Sequence, residues 1–417
     1  MADEFLRAEI IAVGSELLDL GRVESNSIFV SQRLKTVGAR VKRKWVVGDS
    51  LQEIETALQA ALQASSEVIV FSGGLGPTND DITRESVAET LGRPLHLDPA
   101  IIEDLKRRAA SFGLRLTDNN RRQAMVPEGA EVLENPNGSA PGLFLQQEGA
   151  LIFLLPGPPR ELEPMTEAQV LGRIRHLKPA PQAISRCLKL AGVGESLVDH
   201  RVEKIYKSYS DVETTILSSV GIIDLHFLWT GPDDPSRAEA TLDELAGRVR
   251  DKLGSRVYAD RDLELEEVLG EMLRGHARTL ATAESCTGGW VAKRLTDVPG
   301  SSDYFLGGVV AYTNQLKVAL LGVNETTLER FGAVSPQTAE QMARGVRERT
   351  GADIGLSVTG IAGPGGGSAQ KPTGLIYLGL SVEEETQSRK LQVPGDRKFV
   401  RLRTARAALD WVRRSLL

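Results

Sequence analysis

Twice in this chain an apolar run stops abruptly at small residues and glycines and gives way to helical spacing. Val68-Ile69-Val70-Phe71 ends at Ser72-Gly73-Gly74, and Thr279-Leu280-Ala281 passes through Thr282 to Thr287 into Gly288-Gly289. A short apolar run bounded in this way reads as a buried strand of an α/β sheet, and ligands of such sheets sit beyond the carboxyl ends of the strands. Around the first junction, strands are predicted at Ala8 to Val13 and Val41 to Val47, with helices through Asn26 to Leu34 and Leu51 to Leu62. The alternation of strand and helix predicts a parallel sheet.

At 417 residues the chain exceeds one ordinary domain of about 150 residues, so several are expected. The predicted fold class is α/β: two three-layer α/β/α domains, 1–170 and 256–417, joined by a small α+β domain over 171–255. The middle segment follows punctuation at Pro179 to Pro181 and carries alternating runs near Cys187 and at Ile222 to Trp229, without a glycine-rich strand-end loop. The last domain is predicted to open with a helix at Leu263 to Leu273. Its strands are expected near Thr279 to Ala281, Val309 to Tyr312, Ile354 to Val358 and Leu375 to Leu380, and its closing helix over Arg397 to Leu416. The two α/β units share no extended motif, so no internal repeat is expected.

Composition narrows the partners. A net charge of −6 argues against bulk-charge binding to nucleic acid, and no direct nucleic-acid binding is expected. The two cysteines, Cys187 and Cys286, suit neither a disulfide scaffold nor a four-ligand zinc site. The charged start Met-Ala-Asp-Glu-Phe-Leu-Arg is unlike a secretion signal, and no run approaches the roughly 18 apolar residues of a membrane helix. A cytoplasmic protein without membrane partners is expected.

In the first domain, Gly73, Gly74 and Gly76 bare the backbone to an anion, Thr78 follows, and Asp80-Asp81 stand just beyond. Paired carboxylates there could hold a hard divalent cation that bridges phosphate oxygens; equally, Asp81 could cap the helix that begins near Thr83. Downstream lie the polar turn Asn135-Pro136-Asn137-Gly138-Ser139-Ala140-Pro141-Gly142 and the helix start Pro156-Gly157-Pro158-Pro159-Arg160-Glu161.

In the last domain, Ser285 stands at the strand end, with the N–H groups of about Thr287 to Gly289 expected to be unpaired. No histidine is placed to activate it, so lysine is the candidate base, a role burial can confer. Lys317, in Tyr312-Thr313-Asn314-Gln315-Leu316-Lys317, lies on the helix predicted after Tyr312. An N-cap role for Ser285, an exposed helix position for Lys317, and Cys286 as rival nucleophile stay open. Residues 360–367 hold five glycines in eight positions, a loop that backbone-bound phosphate would favour. Arg397 fits a phosphate clamp or a capping turn.

The ordered motifs Gly14-Ser-Glu-Leu-Leu, Gly73-Gly-Leu-Gly-Pro-Thr-x-Asp-Asp, Asn135-x-Asn-Gly-x-Ala-Pro-Gly and Pro156-Gly-Pro-Pro-x-Glu resemble the amino-terminal module of the CinA family, itself similar to MoaB and MogA molybdopterin-binding proteins. Here Glu24-Ser25-Asn26 stands where that family usually carries Asp-Thr-Asn. Ala283-Glu-Ser-Cys-Thr-Gly-Gly, Tyr312-x-Asn-x-x-Lys, Gly332-Ala-Val-Ser, Gly360-Ile-Ala-Gly-Pro-Gly-Gly-Gly and Lys371-Pro372 resemble the carboxy-terminal CinA domain and the nicotinamide-nucleotide amidase PncC. The resemblance implies two hydrolases on one chain. The carboxy-terminal one would deamidate nicotinamide mononucleotide without a cofactor: Ser285 attacks, Lys317 shuttles the proton, Tyr312 assists, and Thr287, Gly288, Gly289, Asn314, Gly360, Ala362, Gly363 and Arg397 bind substrate. The amino-terminal one would cleave ADP-ribose to AMP and ribose 5-phosphate with a divalent metal such as Mg. Asp80, Asp81, Glu16 and Asn26 would hold the metal, and Gly73, Gly74, Gly76, Thr78, Asn135, Asn137, Gly138 and Gly142 the nucleotide. A homodimer is expected. The alternatives are a deamidase with a non-catalytic nucleotide-binding module, and a non-enzymatic scaffold for competence or recombination proteins.

Overall fold

The computed structural model describes residues 5–111, 113, 115, 117–180, 184–231 and 234–417, so Pro181 of the expected linker lies outside the described residues. The chain divides into two compact units, Met1–Ala183 and Ile184–Leu417.

In the first unit, strands β1 (Leu6–Val13), β2 (Ala39–Val47) and β3 (Val68–Ser72) precede a small ribbon of β4 (Leu95–Leu97) and β5 (Met125–Pro127), and then β6 (Glu131–Leu133), β7 (Gly142–Gln147) and β8 (Ala150–Leu155). The six-stranded sheet runs β2-β1-β3-β8-β7-β6. Its β2, β1, β3 and β8 are parallel, as the alternation of elements requires. The expectation of a parallel sheet fails at β7, which pairs antiparallel with both β8 and β6. The cause is local: Glu148 and Gly149, at φ +49° and +84°, form a two-residue turn with both central residues at positive φ, and such a turn closes a hairpin rather than a crossover. The sheet buries apolar residues on both faces. Ile11, Ile69 and Phe71 pack toward Ile54 and Leu58 on one side, while Ile10, Val70 and Phe153 pack toward Val30 and Leu34 on the other. Because the chain steps from β1 out to β2 and then back to β3, the carboxyl ends of β1 and β3 flank the switch point where such sheets open a crevice. A continuous helical stretch from Pro159 to Leu177 crosses the expected boundary at residue 170, so the unit extends beyond it.

The second unit holds two sheets. Strands β9 (Ser185–Ala191), β10 (Val212–Ser219), β11 (Ile222–Trp229) and β12 (Val257–Ala259) form an antiparallel sheet in the order β10-β11-β9-β12. Strands β13 (Leu280–Glu284), β14 (Phe305–Val310), β15 (Ile354–Gly360), β16 (Leu375–Val382) and β17 (Glu385–Gln392) form the second, ordered β14-β13-β15-β16-β17. The first three of these are parallel and the last two antiparallel, so this sheet is also mixed. Ala191 and Ile222 of the first sheet share one apolar cluster with Leu273, Leu409 and Val412 of the carboxy-terminal domain. That shared core holds the middle segment to the last domain. The step from β13 to β14 and back to β15 sets a second switch point, with Ser285 at one strand end and Gly360 at the other.

Candidate active sites at the two switch points

Beyond β1 and β3 opens a cleft of about 560 Å³. Its glycines have steric reasons. A Cβ on Gly73 would lie 2.3 Å from the Val13 carbonyl oxygen, and one on Gly74 2.1 Å from Thr83 Oγ1, both at positive φ. Gly74→Ala is therefore expected to cost about 1–3 kcal/mol of stability, read as a lowered midpoint in urea unfolding of the full chain.

Of the residues assigned to metal and nucleotide, Glu16, Asn26, Gly73, Gly74, Gly76, Thr78, Asp80 and Asp81 line the cleft. Their duties differ. Asp81 is held by its own turn, accepting from Thr78 N–H at 2.9 Å and Thr78 Oγ1 at 2.5 Å. It is not the helix cap: Ile82 occupies that position. Asp80 is exposed and makes no hydrogen bond or ion pair with the described residues, which leaves its carboxylate available. The Asn26 amide donates to Ser72 Oγ and the Gly157 carbonyl, each at 2.7 Å, and so fixes two strand ends together. Glu16 pairs with Arg22 at 3.5 Å. Glu24 accepts from Ser27 N–H at 2.8 Å and serves the start of the helix Asn26–Lys35.

Asn135, Asn137, Gly138 and Gly142 do not line the cleft; Gln123, Ser139, Ala140 and Glu161 do. The turn spends its conspicuous amides on its own neighbours. Asn135 is buried and donates to the Ala140 carbonyl and to Glu161 Oε2, while the Asn137 amide donates to the Arg160 carbonyl. Sequence reasoning also missed two arginines under the loop. Arg84, fully buried, donates to the carbonyls of Leu75 and Arg122, and Arg122 donates to those of Thr78 and Asp81. Burial lowers the Arg84 pKa. Among the described residues no group of three His, Cys, Asp or Glu converges as a metal cluster. Asp80 is the cleft carboxylate without a partner among the described residues, so a hard cation held there would take most of its ligands from water and phosphate.

At the second switch point, Lys317 Nζ stands 3.1 Å from Ser285 Oγ, with the two residues only 1% and 9% exposed. The amine also donates to the carbonyls of Ala311 at 2.8 Å and Tyr312 at 3.3 Å, so it is aimed by backbone rather than by a carboxylate. No carboxylate offsets its burial: desolvation lowers its pKa, with only the neighbouring Cys286 pulling the other way. Burial pushes the Cys286 thiol up to about 12, which keeps it protonated at neutral pH.

The turn after Ser285 departs from expectation. The helix starts at Trp290, and the Gly288 N–H is engaged by the Ser285 carbonyl at 3.1 Å, leaving those of Thr287 and Gly289 without an acceptor among the described residues. Buried Glu284 accepts from Val291 N–H and Ala292 N–H, and Arg401 donates to the Thr287 carbonyl at 2.7 Å. Thr287 is fully buried, and its Oγ1 has no hydrogen-bond partner. Strand β14 ends at Val310, so Tyr312 lies in the following loop rather than at the strand end. Its side chain is 56% exposed, and the hydroxyl accepts from Arg397 at 2.9 Å. Tyr312 touches the Ser–Lys pair through its carbonyl alone. Arg397 also donates to the Gly363 carbonyl at 2.8 Å, while Asp396 caps the last helix. Gly360 is the last residue of β15, and Ala362 lies in the loop that follows it, which Lys371 ties down through the carbonyls of Phe331 and Val334. Asn314 is exposed at the first position of its helix. Glu284 and Arg401 carried one legible signal: a carboxylate just before a strand-end serine, and an arginine one helical turn beyond Arg397.

A strand-end cleft in the first unit and a buried Ser–Lys pair at the strand end of the second define a two-module chain of the kind suggested by the motifs. Residues 262–416 match the family model "CinA C-terminal domain", and residues 9–176 match "Probable molybdopterin binding domain". A "CinA-like protein" of Acidobacterium capsulatum is 44% identical over 414 residues, covering 98% of this chain and 100% of that one, and a "CinA-like protein" of Koribacter versatilis matches to the same extent. The chain belongs to the CinA family. A crystal structure of the competence/damage inducible protein CihA from Agrobacterium tumefaciens is 40% identical, covering 38% of this chain and 99% of that one, at a TM-score of 0.35. No described helix is long and apolar enough to cross a membrane.

Proposed function

We propose that the carboxy-terminal site hydrolyses the carboxamide of nicotinamide mononucleotide to nicotinic acid mononucleotide and ammonia, and that the amino-terminal cleft cleaves the diphosphate of ADP-ribose to AMP and ribose 5-phosphate. The observation that carries the reading is the buried amine of Lys317 at 3.1 Å from Ser285 Oγ.

In this reaction neutral Lys317 takes the Ser285 hydroxyl proton as Oγ attacks the carboxamide carbon. The free N–H groups of Thr287 and Gly289 are the nearest backbone donors for the developing oxyanion. Lys317 then returns the proton to the departing nitrogen and ammonia leaves; water attacks the acyl ester while Lys317 takes its proton, the bond to Ser285 Oγ breaks, and Lys317 reprotonates Oγ as the nicotinic acid product departs. Arg397 and the 360–367 loop bind the nucleotide's phosphate and ribose. In the amino-terminal cleft, a divalent cation would offset diphosphate charge when bound. Asp80 and Glu16 are the residues that would hold it, Asp81 keeps the loop in shape, and the glycine-turn backbone receives the phosphates.

The test is to incubate the purified chain separately with nicotinamide mononucleotide and with ADP-ribose plus Mg, scoring ammonia and AMP. Ammonia without AMP would reduce the reading to a deamidase with a nucleotide-binding module, and neither product would remove it. A pH profile adds a sign. The base works only as the free amine, so kcat/KM for ammonia release should rise with pH. Because burial lowers the Lys317 pKa, the midpoint should fall below the ordinary lysine value of about 10.4. A midpoint at or above that value would remove Lys317 as base.

A further inference from the structure

Where the middle sheet meets the carboxy-terminal domain lies a separate cavity of about 190 Å³ that shares no lining residue with the Ser285 site. Arg389, Arg403, Arg406 and Arg414 line it, against a single acid, Asp410. That carboxylate is already committed, to Arg413 through Oδ1 at 2.8 Å and to Arg414 through Oδ2 at 2.9 Å. The other three arginines have no carboxylate partner among the described residues. Arg389 lies over the Trp411 ring at 5.2 Å, and Arg406 spends one nitrogen on the Val220 carbonyl at 2.7 Å while its buried Nε has no hydrogen-bond partner. Arg403 is half-buried and makes no hydrogen bond or ion pair with the described residues.

The positions of these groups follow from the fold. Residues 403, 406 and 414 lie on one face of the helix Arg397–Ser415, since spacings of three and eleven return to the same side. Opposite them stand two glycine turns. A Cβ on Gly221, at φ +81° in the turn between β10 and β11, would lie 2.5 Å from an Arg403 guanidinium nitrogen. One on Gly192, at φ +69°, would lie 3.1 Å from Arg414 and from Asp410. The turns are bare where the arginine heads pass. Half-buried guanidinium nitrogens without acceptors, as at Arg403 and Arg406, are costly, and a bound anion is the usual way to satisfy several at once; Arg389 is exposed and adds its charge to the same cavity.

We infer that this cavity is a binding site for a phosphate dianion, either the free ion or the terminal group of a small phosphate ester. Its volume is below the roughly 300–1,000 Å³ of ordinary small-molecule pockets, which excludes a whole nucleotide from the interior. The site spans the middle sheet and the last helix, so an occupied cavity clamps the two together and stabilises the second unit. Nothing in this assignment depends on the reactions proposed above.

The experiment is calorimetric titration of the full chain with inorganic phosphate and with ribose 5-phosphate, at constant ionic strength set by chloride. Arg403→Met is the diagnostic variant, because Arg403 has no protein partner whose loss would disturb folding; its circular dichroism and unfolding midpoint without phosphate should match those of the parent. Inorganic phosphate is expected to bind and to raise the thermal midpoint, and Arg403→Met should weaken that binding at least about tenfold, the loss of one charge-assisted arginine contact. Ribose 5-phosphate heat that vanishes in the same variant extends the site to monoesters, whereas heat from inorganic phosphate alone restricts it to the free ion. Absence of phosphate heat above the chloride control, or an isotherm and midpoint shift unchanged in both Arg403→Met and Arg389→Met, overturns the proposal.

Discussion

Ammonia release from nicotinamide mononucleotide should fall at least about 10³-fold in Ser285→Ala and equally far in Lys317→Met, with the double variant no worse than either single one. The equality follows from the geometry: Oγ and Nζ stand 3.1 Å apart and act on one proton, so removing either disables the same step. Lys317→Arg should not rescue, because a guanidinium stays protonated at any working pH. Cys286→Ala should keep activity within a few-fold, since burial raises that thiol's pKa to about 12, which keeps it protonated at neutral pH, and it makes no hydrogen bond to Lys317. AMP formation from ADP-ribose should be unchanged in all of these variants. Deamidation that survives Ser285→Ala would show that the nucleophile lies elsewhere.

The second large effect separates two adjacent aspartates. Asp80→Ala should lower AMP formation at least about 10²-fold with no change in unfolding midpoint, because Asp80 has no partner to lose among the described residues. Asp81→Ala should lower both activity and stability, the latter by about 1–2 kcal/mol, because its carboxylate holds Thr78 N–H and Oγ1. Asp81→Asn, which keeps an acceptor oxygen, should recover most of that stability. Excess chelator should stop AMP formation while sparing ammonia release. Full ADP-ribose cleavage in chelator, or identical losses of stability in the two alanine variants, would leave the aspartates with a structural role only.

The parts of both sites that were legible in the sequence are those carried by local chemistry. An apolar run ended by glycines could only be a buried strand meeting a bare turn, so Gly73-Gly74 and Ser285 to Gly289 were placed at strand ends before any fold was known. Lysine was the candidate base because no histidine is placed to activate Ser285, and the choice of Lys317 rested on the resemblance of Tyr312-x-Asn-x-x-Lys317 to the carboxy-terminal CinA domain. The parallel cores followed from the alternation of elements. The hairpin that turns β7 against β8 was missed because Glu148 is a residue type that seldom takes positive φ.

What the tertiary structure alone decided are contacts between residues distant in sequence, and the direction in which each side chain of a motif points. Arg84 has the composition of a surface residue, yet it is fully buried; only the packed sheet shows that the carbonyls of Leu75 and Arg122 satisfy it. Asn135 and Asn137 carry the residue types of a ligand loop, but the Asn135 amide is buried against Ala140 and Glu161 and the Asn137 amide is spent on the Arg160 carbonyl, leaving Ser139 and Ala140 at the cleft. Tyr312 serves Lys317 through a carbonyl, which no side-chain pattern reports. The arginines of the last helix lie on a face that sequence periodicity describes, but their opposition to Gly192 and Gly221 arises only when the middle sheet docks. Local propensity acts over a few residues and is written in them; burial, desolvation and the pairing of distant groups exist only once the chain has closed on itself.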